Sequence, residues 1–373
     1  MSAVGAVARP SLRQPLSRLW RVLRGGRTSP KRAALAAGLG VFIGCLPLPG
    51  MHWLLCLAVC LPFRLDAVLA YLGANISNPF VAPFLFTAEL AIGALLLTGE
   101  HVDYATGAAV LDVAGDYALY LGAGAVTLGT VLGLVSAGAA FLVVRGRKRR
   151  ADAFERTRGR YFGSPRADRA YVGAKLEQDP VFEAILGLGG SFGVTVDAGC
   201  GRGQLGLLLF DAGRVERLYG FDWDPKKVAL ARGAAVRVPA EYRVADLRSE
   251  PIPRCDTVLL VDVLHYLAPA HQTALLERAV AALPKGGRLL IRDVDAGGGF
   301  GARLAMAFER WGCRLGLNRA AGLHFVSVAE LQSRLELLGF SARTVDTGAA
   351  GLLANVLLVA TRTSSSGAAD QSS

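Results

Sequence analysis

Three long apolar stretches occur in the first 150 residues of the chain. Residues 33–63, 67–88 and 117–144 contain no Asp, Glu, Lys or Arg, and they are 31, 22 and 28 residues long. A helix needs about 20 predominantly apolar residues to cross the hydrocarbon core of a bilayer. The pattern predicts an N-terminal α-helical integral membrane domain over residues 33–144, with a helical domain buried in water as the alternative.

Prolines interrupt the first two of these stretches. Pro47 and Pro49 lie in the first stretch, and Pro79 and Pro83 lie in the second. Proline cannot continue a helix, because it lacks a backbone N–H and its ring clashes with the preceding turn. We expect re-entrant hairpins or pairs of short bent helices at these breaks, and two full crossings plus a re-entrant segment in all. Glu89 interrupts the apolar pattern after the second break.

From residue 153 onward, short apolar strands alternate with helical segments. The predicted strands are 194–198, 218–222, 242–247, 255–262 and 288–293. The predicted helical segments include 153–188, 269–283 and 326–340. Strands that alternate with helices in this way form a parallel α/β sheet.

Most of the net positive charge of the chain lies in its first 150 residues. The 373 residues carry a net charge of +11, and 52% of them are hydrophobic, which excludes a disordered chain. Residues 1–150 contain 14 basic and six acidic side chains, whereas the remaining residues contain 27 and 24. Only six cysteines are present, so a small fold held together by disulfides is excluded as well.

Basic residues flank the apolar stretches on both sides. Eight of them precede residue 33, and five lie between Arg145 and Arg150. The positive-inside rule places both flanks in the cytoplasm. Clustered arginines also bind nucleic acid, but these clusters adjoin apolar stretches. We therefore expect the lipid bilayer with its anionic headgroups as the partner, and no nucleic acid.

Two segments of the apolar part are similar to a known family. Gly40-Val-Phe-Ile-Gly-Cys-Leu-Pro-Leu-Pro-Gly50 and Asn75-Ile-Ser-Asn-Pro79 resemble a bacterial membrane domain of unknown function, over about residues 15–145. The resemblance implies a location in the bacterial inner membrane. It implies no activity.

A glycine-rich turn follows the first predicted strand. In Asp197-Ala-Gly-Cys-Gly-Arg-Gly203, glycine occupies every second position from Gly199, which lets the backbone turn tightly and approach a ligand closely. The usual dinucleotide fingerprint spaces its glycines differently. The second strand ends in Asp222, and a carboxylate at that place can accept both hydroxyls of a ribose. The pattern therefore predicts a ligand of the nucleotide type.

Four segments in this order resemble class I S-adenosylmethionine-dependent methyltransferases. They are Asp197–Gly203, Gly220–Asp222, Ala245–Leu247 and Asp262–Leu267, and Leu283-Pro-Lys-Gly-Gly287 completes the pattern. The resemblance covers about residues 153–361. It implies a C-terminal α/β Rossmann-like sheet of seven strands, in which 342–347 and 355–361 form a closing antiparallel pair.

The resemblance implies that this domain binds S-adenosylmethionine as its co-substrate. The residues that would hold it are Asp197, Gly199, Cys200, Gly201, Gly203, Asp222, Trp223, Asp246, Leu247 and Asp262. Asp222 would bind the ribose hydroxyls and Trp223 would stack on adenine, whose amino group Asp246 would meet. Cys200 is expected to be a small packing residue. Since no cysteine pair has the spacing of a zinc site, no metal is expected.

His265 and Asp262 are the candidate catalytic residues. A methyl group on a sulfonium is already activated, so catalysis consists mostly of in-line positioning and exclusion of water. A base is needed only for a poorly ionised hydroxyl acceptor, and His265 lies just past the fourth strand, where an acceptor would bind. A residue that merely fills the rim of the sheet is the alternative for His265. Tyr266 and Asp293 are further rim positions.

The sequence thus predicts five segments. They are a basic cytoplasmic N-terminus (1–32), a helical membrane domain (33–144), a basic linker with a helical lead-in or lid (145–190), a methyltransferase domain (191–361) and a disordered tail (362–373). In the lead-in, Lys175 or Tyr171 is a candidate contact for the carboxylate of the donor, with exposed solubilising residues as the alternative.

Joined in one chain, these segments predict a membrane-tethered methyltransferase whose catalytic domain lies in the cytoplasm. Tethering suits an acceptor that resides in the membrane, so we expect a small or lipid-like acceptor. The alternative is a non-catalytic membrane scaffold or sensor whose soluble half binds S-adenosylmethionine without transferring its methyl group.

Overall fold

The computed structural model of the chain describes residues 29–48, 50–99, 114–298, 322–345 and 355–363, and positions 303, 306, 307 and 347. Contacts divide the chain into two compact units, Met1–Lys148 and Arg149–Ser373, called the N-terminal and the C-terminal unit below. Each unit has a hydrophobic core of its own. The segments predicted for 1–32 and 362–373 lie almost entirely outside the described residues.

The described part of the N-terminal unit is built from helices. They are α1 (Pro30–Cys45), α2 (His52–Cys60), α3 (Ala67–Ala74), α4 (Ala82–Thr98) and the first part of α5 (Ala114–Arg160). Pro47 lies in the turn between α1 and α2, and Pro79 lies in the turn between α3 and α4. Breaks are therefore confirmed at Pro47 and at Pro79. Pro83, in contrast, lies in the first turn of α4, and Pro49 lies outside the described residues. With its 3-10 extension (Asn75–Ser77), α3 makes an angle of 79° with α4.

The two proline breaks lie close together in the N-terminal unit. His52 Nδ1 is 3.4 Å from Ser77 Oγ, and His52 Nε2 is 3.0 Å from the carbonyl oxygen of Leu46. One imidazole ring therefore connects the turn after α1 with the 3-10 extension of α3. Small buried residues of α1 and α3, among them Ala36 and Ala70, let these two helices pack closely.

Apolar side chains cover much of the outside of the N-terminal unit. Phe80, Phe84 and Phe63 are 87%, 77% and 70% exposed. Among the described residues, one helix, Tyr117–Arg160, has the length and composition of a membrane span, and the bent pair of α3 and α4 makes a second if it is counted as one span. The two full crossings read from the sequence remain a prediction.

Helix α5 does not end with the apolar stretch but continues through the basic residues after Val144 to Arg160. Its last turn is anchored in the C-terminal unit, where the Arg160 guanidinium lies 2.7 Å from Asp211 and the Thr157 hydroxyl donates to the same carboxylate at 2.8 Å. Two further helices follow, α6 (Arg166–Gln178) and α7 (Pro180–Gly187). The lead-in is therefore helical, as predicted.

The C-terminal unit contains one sheet of seven strands. The strands are β1 (Gly193–Ala198), β2 (Val215–Asp222), β3 (Ala240–Val244), β4 (Thr257–Val261), β5 (Arg288–Val294), β6 (Phe340–Val345) and β7 (Asn355–Arg362). Their order is β3-β2-β1-β4-β5-β7-β6. The first five strands are parallel, and β7 runs antiparallel to both β5 and β6. The predicted Rossmann-like sheet with a closing antiparallel pair is confirmed.

Helices cover both faces of this sheet. They are α6, α7, α8 (Gln204–Asp211) and α9 (Pro225–Ala234), which pack with one core cluster, and α10 (Pro269–Ala282) and α11 (Val328–Leu337), which pack with the other. Parallel strands read as continuous apolar runs because both of their faces are buried. The last four residues of β1 and the first four of β4 are all buried.

Two predicted strands end earlier than the sequence pattern indicated. The third ends at Val244 instead of residue 247, since the Asp246 carboxylate accepts the backbone N–H of Arg248 and forms a turn. The fourth ends at Val261, because Asp262 has a φ of 57°, a left-handed conformation that cannot continue a strand. Both acids thus lie in loops at the carboxyl edge of the sheet.

Candidate functional site

The carboxyl ends of the parallel strands bring most of the predicted site residues to one edge of the sheet. The chain order reverses between β1 and β4, which lie side by side although β2 and β3 come between them in sequence. In open α/β sheets, ligands bind at such a switch point, beyond the carboxyl ends of the strands. The loop after β1, the end of β2 and the loop after β4 meet there.

The glycine-rich loop after β1 is fastened to β2 and leaves room for a ligand. The backbone N–H groups of Gly199 and Cys200 both donate to the Phe221 carbonyl, at 2.8 and 3.1 Å. Gly201 has a φ of 54°, and a Cβ added there would meet nothing within 4 Å. A Cβ at Gly199, in contrast, would lie 2.2 Å from a methyl group of Val263. Open space at Gly201 is therefore where a ligand can approach the backbone.

Cys200 and two tyrosines support this loop from within the protein. Burial raises the pKa of the Cys200 thiol well above its ordinary value, so the thiol is neutral, as expected for a packing residue. Tyr161 is fully buried, and its hydroxyl donates to the Arg202 carbonyl at 2.6 Å. The Tyr242 hydroxyl donates to the Gly203 carbonyl at 3.5 Å. Sequence reasoning did not identify this support, since Tyr161 precedes the loop by about 40 residues.

Asp222 is held in a fixed orientation at the end of β2. Its Oδ2 accepts the backbone N–H of Gly201, and its Oδ1 accepts that of Asp224, both at 2.9 Å. Each carboxylate oxygen has two acceptor sites, so one on each oxygen remains for the two hydroxyls of a ribose. Next to it, Trp223 is 44% exposed, and its ring has the Lys227 ammonium 5.9 Å from its centre. This pair fits the nucleoside part of a donor.

Asp197 lies beneath the loop and is completely enclosed. Burial, together with the charge of Asp222, raises its pKa to about 7, although a hydrogen bond from the Gly206 backbone works in the opposite direction. Its Oδ2 is buried and has no hydrogen-bond partner among the described residues. A donor that carries an ammonium and a sulfonium group would compensate such an acid, so the residues present here fit S-adenosylmethionine.

Asp246 and Leu247 are placed differently from the other predicted donor contacts. The Arg248 guanidinium contacts both oxygens of Asp246, at 2.5 to 3.0 Å, and lowers the pKa of this carboxyl. An adenine amino group would therefore compete with Arg248 for Asp246. Leu247 is buried in the core cluster that includes Val258. Both roles remain predictions, and the neighbouring Arg248 is the local signal that the sequence reading did not use.

Asp262 belongs to a four-membered charge network. Its Oδ2 lies 2.6 Å from Arg292 Nη1 and 3.6 Å from Lys175 Nζ. The same two cations contact Asp179, at 3.0 and 2.7 Å. Burial lowers the pKa of Lys175, but the charges of Asp262 and Asp179 outweigh this effect and raise it, so Lys175 is a cation. Asp262 is thus paired on both sides and suits positioning better than proton transfer.

Neither Asp179 nor Arg292 was identified from the sequence. They are 113 residues apart, and only the fold brings α7 against the end of β5. Lys175 is the lead-in residue that we expected near the donor carboxylate, and it lies beside Asp262 at the edge of the site. The ring of Tyr171, the other expected contact, packs against the Arg202 guanidinium, whose central carbon lies 4.2 Å from the ring centre.

His265 and Asp293 form a hydrogen-bonded pair at the same edge of the sheet. His265 Nδ1 lies 2.6 Å from Asp293 Oδ1, and the backbone N–H of His265 donates to Oδ2 at 3.1 Å. The imidazole is stacked on Phe325 at 5.2 Å and is nearly enclosed. A carboxylate on Nδ1 fixes the orientation of the ring and places the proton of the neutral imidazole on Nδ1. The acceptor nitrogen of that tautomer is Nε2, which is buried, and the catalytic role of His265 remains a prediction.

Two family models match the chain. Residues 171–345 match a family described as a methyltransferase domain, and residues 13–152 match a family described as an uncharacterized protein conserved in bacteria. Both resemblances read from the sequence are therefore confirmed. No curated protein sequence matches the chain.

Several solved structures are similar to about half of the chain. A chain from the complex of a Haloferax volcanii methyltransferase activator with its methyltransferase is 17% identical, with 53% of this chain and 96% of that chain covered and a TM-score of 0.42. An O-methyltransferase family protein from Burkholderia thailandensis is 18% identical (53% and 60% covered, TM-score 0.42). Magnesium protoporphyrin IX methyltransferase from Synechocystis PCC 6803, with bound SAH, is 21% identical (56% and 94% covered, TM-score 0.38).

Proposed function

We propose, on the premise that residues 171–345 form a methyltransferase domain, that the chain transfers a methyl group from S-adenosylmethionine to a hydroxyl group of a lipid-like acceptor. The observation that carries this proposal is the His265–Asp293 pair at the edge of the sheet where the glycine-rich loop and Asp222 lie. A hydroxyl is the acceptor class that needs such a base.

The residues of the chain divide the work as follows. S-adenosylmethionine supplies a methyl group on a positively charged sulfur, which is already activated for in-line displacement. Asp222 and Trp223 bind the nucleoside. His265 Nε2 takes the proton of the acceptor hydroxyl while the hydroxyl oxygen bonds to the methyl carbon, and the electron pair of the broken carbon–sulfur bond stays on sulfur. Asp293 stabilises the imidazolium that forms.

The lipid-like acceptor is supported by the N-terminal unit. Helix α5 has the length and composition of a membrane span, and large apolar side chains such as Phe80 and Phe84 are exposed to the surroundings. Lipid is the solvent in which such a surface is stable. Basic residues from Arg145 to Arg150 follow the apolar part of α5 and favour the cytoplasmic side of a bacterial inner membrane. We therefore place the methyltransferase domain there.

The test uses the full chain in detergent. Calorimetric titration with S-adenosylmethionine should give micromolar binding that Asp222→Ala weakens and that Asp152→Ala, an exposed acid of α5, leaves unchanged. Incubation with donor labelled in its methyl group and a bacterial lipid extract should then move label into the organic phase. Binding without transfer to any extract would favour the sensor, and no binding by a folded chain would refute donor use.

A separate measurement tests whether the N-terminal unit anchors the chain in the membrane. Expressed in bacteria, the chain should remain in the membrane pellet after washing with alkaline carbonate, which strips peripheral proteins. Complete release into the supernatant would contradict the membrane part of the proposal and leave the transfer reaction to be judged by the label experiment.

A further inference from the structure

Glu89 is the buried acid of the N-terminal unit that the methyl-transfer proposal does not use. It lies in the middle of α4 and is 0% exposed. Neither of its carboxylate oxygens has a hydrogen-bond partner among the residues that the structure describes. An ionised carboxylate without a partner in such a place is too costly to persist, so the side chain must be neutral or must hold a ligand.

Three helices enclose Glu89. Helices α4 and α5 touch through their backbones, because a Cβ added at Gly124 of α5 would lie 1.7 Å from the Glu89 carbonyl oxygen. One turn further along α4, a Cβ at Gly93 would lie 1.7 Å from the Tyr120 carbonyl oxygen. Helix α1 packs against α5 nearby, because a Cβ added at Gly129 of α5 would lie 3.0 Å from the Cβ of Cys45.

Besides Glu89 and Cys45, helices α1 and α4 and the apolar part of α5 carry few ionisable side chains. Helix α5 carries Asp116, Tyr117 and Tyr120 before Gly124 and then no Asp, Glu, Lys or Arg up to Val144. Helix α1 carries Lys31 and Arg32 in its first turn, at the end opposite to Cys45. Among the described residues, no Lys or Arg forms an ion pair with Glu89.

The surroundings of Glu89 determine which ligand its carboxylate can hold. A metal ion needs several oxygen, nitrogen or sulfur ligands at once, and no group of three acidic, histidine or cysteine side chains that could hold one occurs among the described residues. A proton needs only one carboxylate oxygen. We propose that Glu89 is a proton-binding site inside the N-terminal unit, occupied by one proton in the packed state of its helices.

The position of the site suggests how the proton is exchanged. Cys45 is the last residue of α1, immediately before the first proline break, and α4 begins shortly after the second. Ionisable side chains beside interrupted helices are typical of ion and proton sites in membrane proteins. Release of the proton leaves an unpaired charge, so it requires that water or a cation reach Glu89 through a movement of these helices. This inference is independent of methyl transfer.

An infrared difference spectrum between the full chain and Glu89→Gln tests the proposal. At neutral pH, the wild-type chain in detergent should show the C=O stretching band of a protonated carboxylic acid that the variant lacks. The band should disappear at alkaline pH, since each pH unit above the midpoint lowers the neutral fraction about tenfold. Absence of the band at neutral pH, in a folded chain, overturns the proposal.

Reaction with a lipid-soluble carbodiimide gives an independent readout. The O–H of a neutral carboxyl adds across a C=N bond of the reagent, so the product keeps the whole mass of the reagent and no group leaves. We expect one adduct on Glu89 that persists in Cys45→Ser, the control for reaction at the nearby thiol, and is lost in Glu89→Gln. An adduct that moves to Cys45 with no band in the infrared spectrum would count against the site.

Thermal unfolding distinguishes a protonated Glu89 from an ionised Glu89 that is bound to a cation. Glutamine has the shape of a protonated glutamate, so Glu89→Gln should unfold at nearly the same temperature as the wild-type chain. A large drop in the melting temperature would show that the acid is ionised and bound to a cation, and it would overturn the proposal.

Discussion

Buried ionisable side chains occur in both units, but they are compensated in different ways. In the C-terminal unit, Arg292 contacts two carboxylates and His265 is paired with Asp293. In the N-terminal unit, Glu89 is fully buried, and neither of its oxygens has a hydrogen-bond partner in the described part of the chain. Charges persist in a protein interior only when they are paired, whereas an unpaired acid becomes neutral. The paired groups around Arg292 and His265 thus fix geometry, whereas Glu89 is a neutral acid. Asp197 of the C-terminal unit resembles Glu89 in this respect, because its buried Oδ2 has no hydrogen-bond partner among the described residues.

Breaking the His265–Asp293 pair has the largest expected effect. A general base contributes about 10²–10⁴-fold to a reaction rate, so His265→Gln should lower methyl transfer to a hydroxyl acceptor by about that factor. Asp293→Asn should lower it less, because the imidazole remains but loses its orienting carboxylate. Initial rates with labelled donor measure both effects, and calorimetry should show unchanged donor binding. A full transfer rate in His265→Gln would mean that this residue only fills the rim of the sheet.

Removal of the central cation tests the charge network. Arg292→Met leaves Asp179 and Asp262 with Lys175 as the one cation that contacts them among the described residues. Loss of one partner from a buried pair costs about 3–5 kcal/mol, so we expect the free energy of unfolding of the C-terminal unit to fall by about that amount. Urea titration followed by circular dichroism measures it.

The matched control for the network is Arg248→Met, which removes an exposed ion pair with Asp246. Exposed pairs are screened by water and contribute little, so this variant should unfold close to the wild-type midpoint. Equal destabilisation by the two substitutions would mean that burial of Arg292 does not determine its contribution to stability.

A methyl group at Gly201 tests whether the loop after β1 is a ligand cradle. Gly201 and Gly213 both have positive φ values, and a Cβ added at either would meet nothing within 4 Å. Substitution by alanine should therefore cost each position a similar strain of roughly 1–2 kcal/mol. Only Gly201→Ala should also weaken donor binding, by about tenfold or 1.4 kcal/mol. Similar calorimetric affinities for both variants would refute a ligand at Gly201.

The pH dependence of stability tests the buried acid of the C-terminal unit. The pKa of Asp197 is about 7 in the folded chain, against an ordinary value of 3.8. The folded state therefore holds a proton that the unfolded state has lost, so the contribution of Asp197 to stability is complete below pH 4 and disappears as the pH rises through 7. Asp197→Asn cannot titrate, and its unfolding free energy should fall less between these pH values than that of the wild-type chain. Parallel profiles would contradict the raised pKa.

Local patterns were sufficient to predict much of the architecture. Pro47 and Pro79 each lie just after the end of a helix. Proline interrupts a helix through its missing backbone N–H and its ring, which both act within one turn of the chain. The Asp197–Gly203 turn and the acid at Asp222 were found by their spacing, which a strand–turn–helix unit dictates locally. The same reasoning placed Asp246 and Asp262 in strands, although a side-chain turn and a left-handed φ put both in loops.

Periodicity, proline breaks and motif spacing by themselves determined the helical N-terminal unit, the order of strands and helices after it and the residues at the carboxyl edge of the sheet. These features depend on neighbours along the chain. Only the tertiary structure decided that Arg292 meets Asp179 across 113 residues and that Asp293 is paired with His265. It also decided that Glu89 has no hydrogen-bond partner among the described residues. Compensation of a buried charge depends on which side chains the fold brings within hydrogen-bond distance. The number of residues between two side chains does not predict that distance.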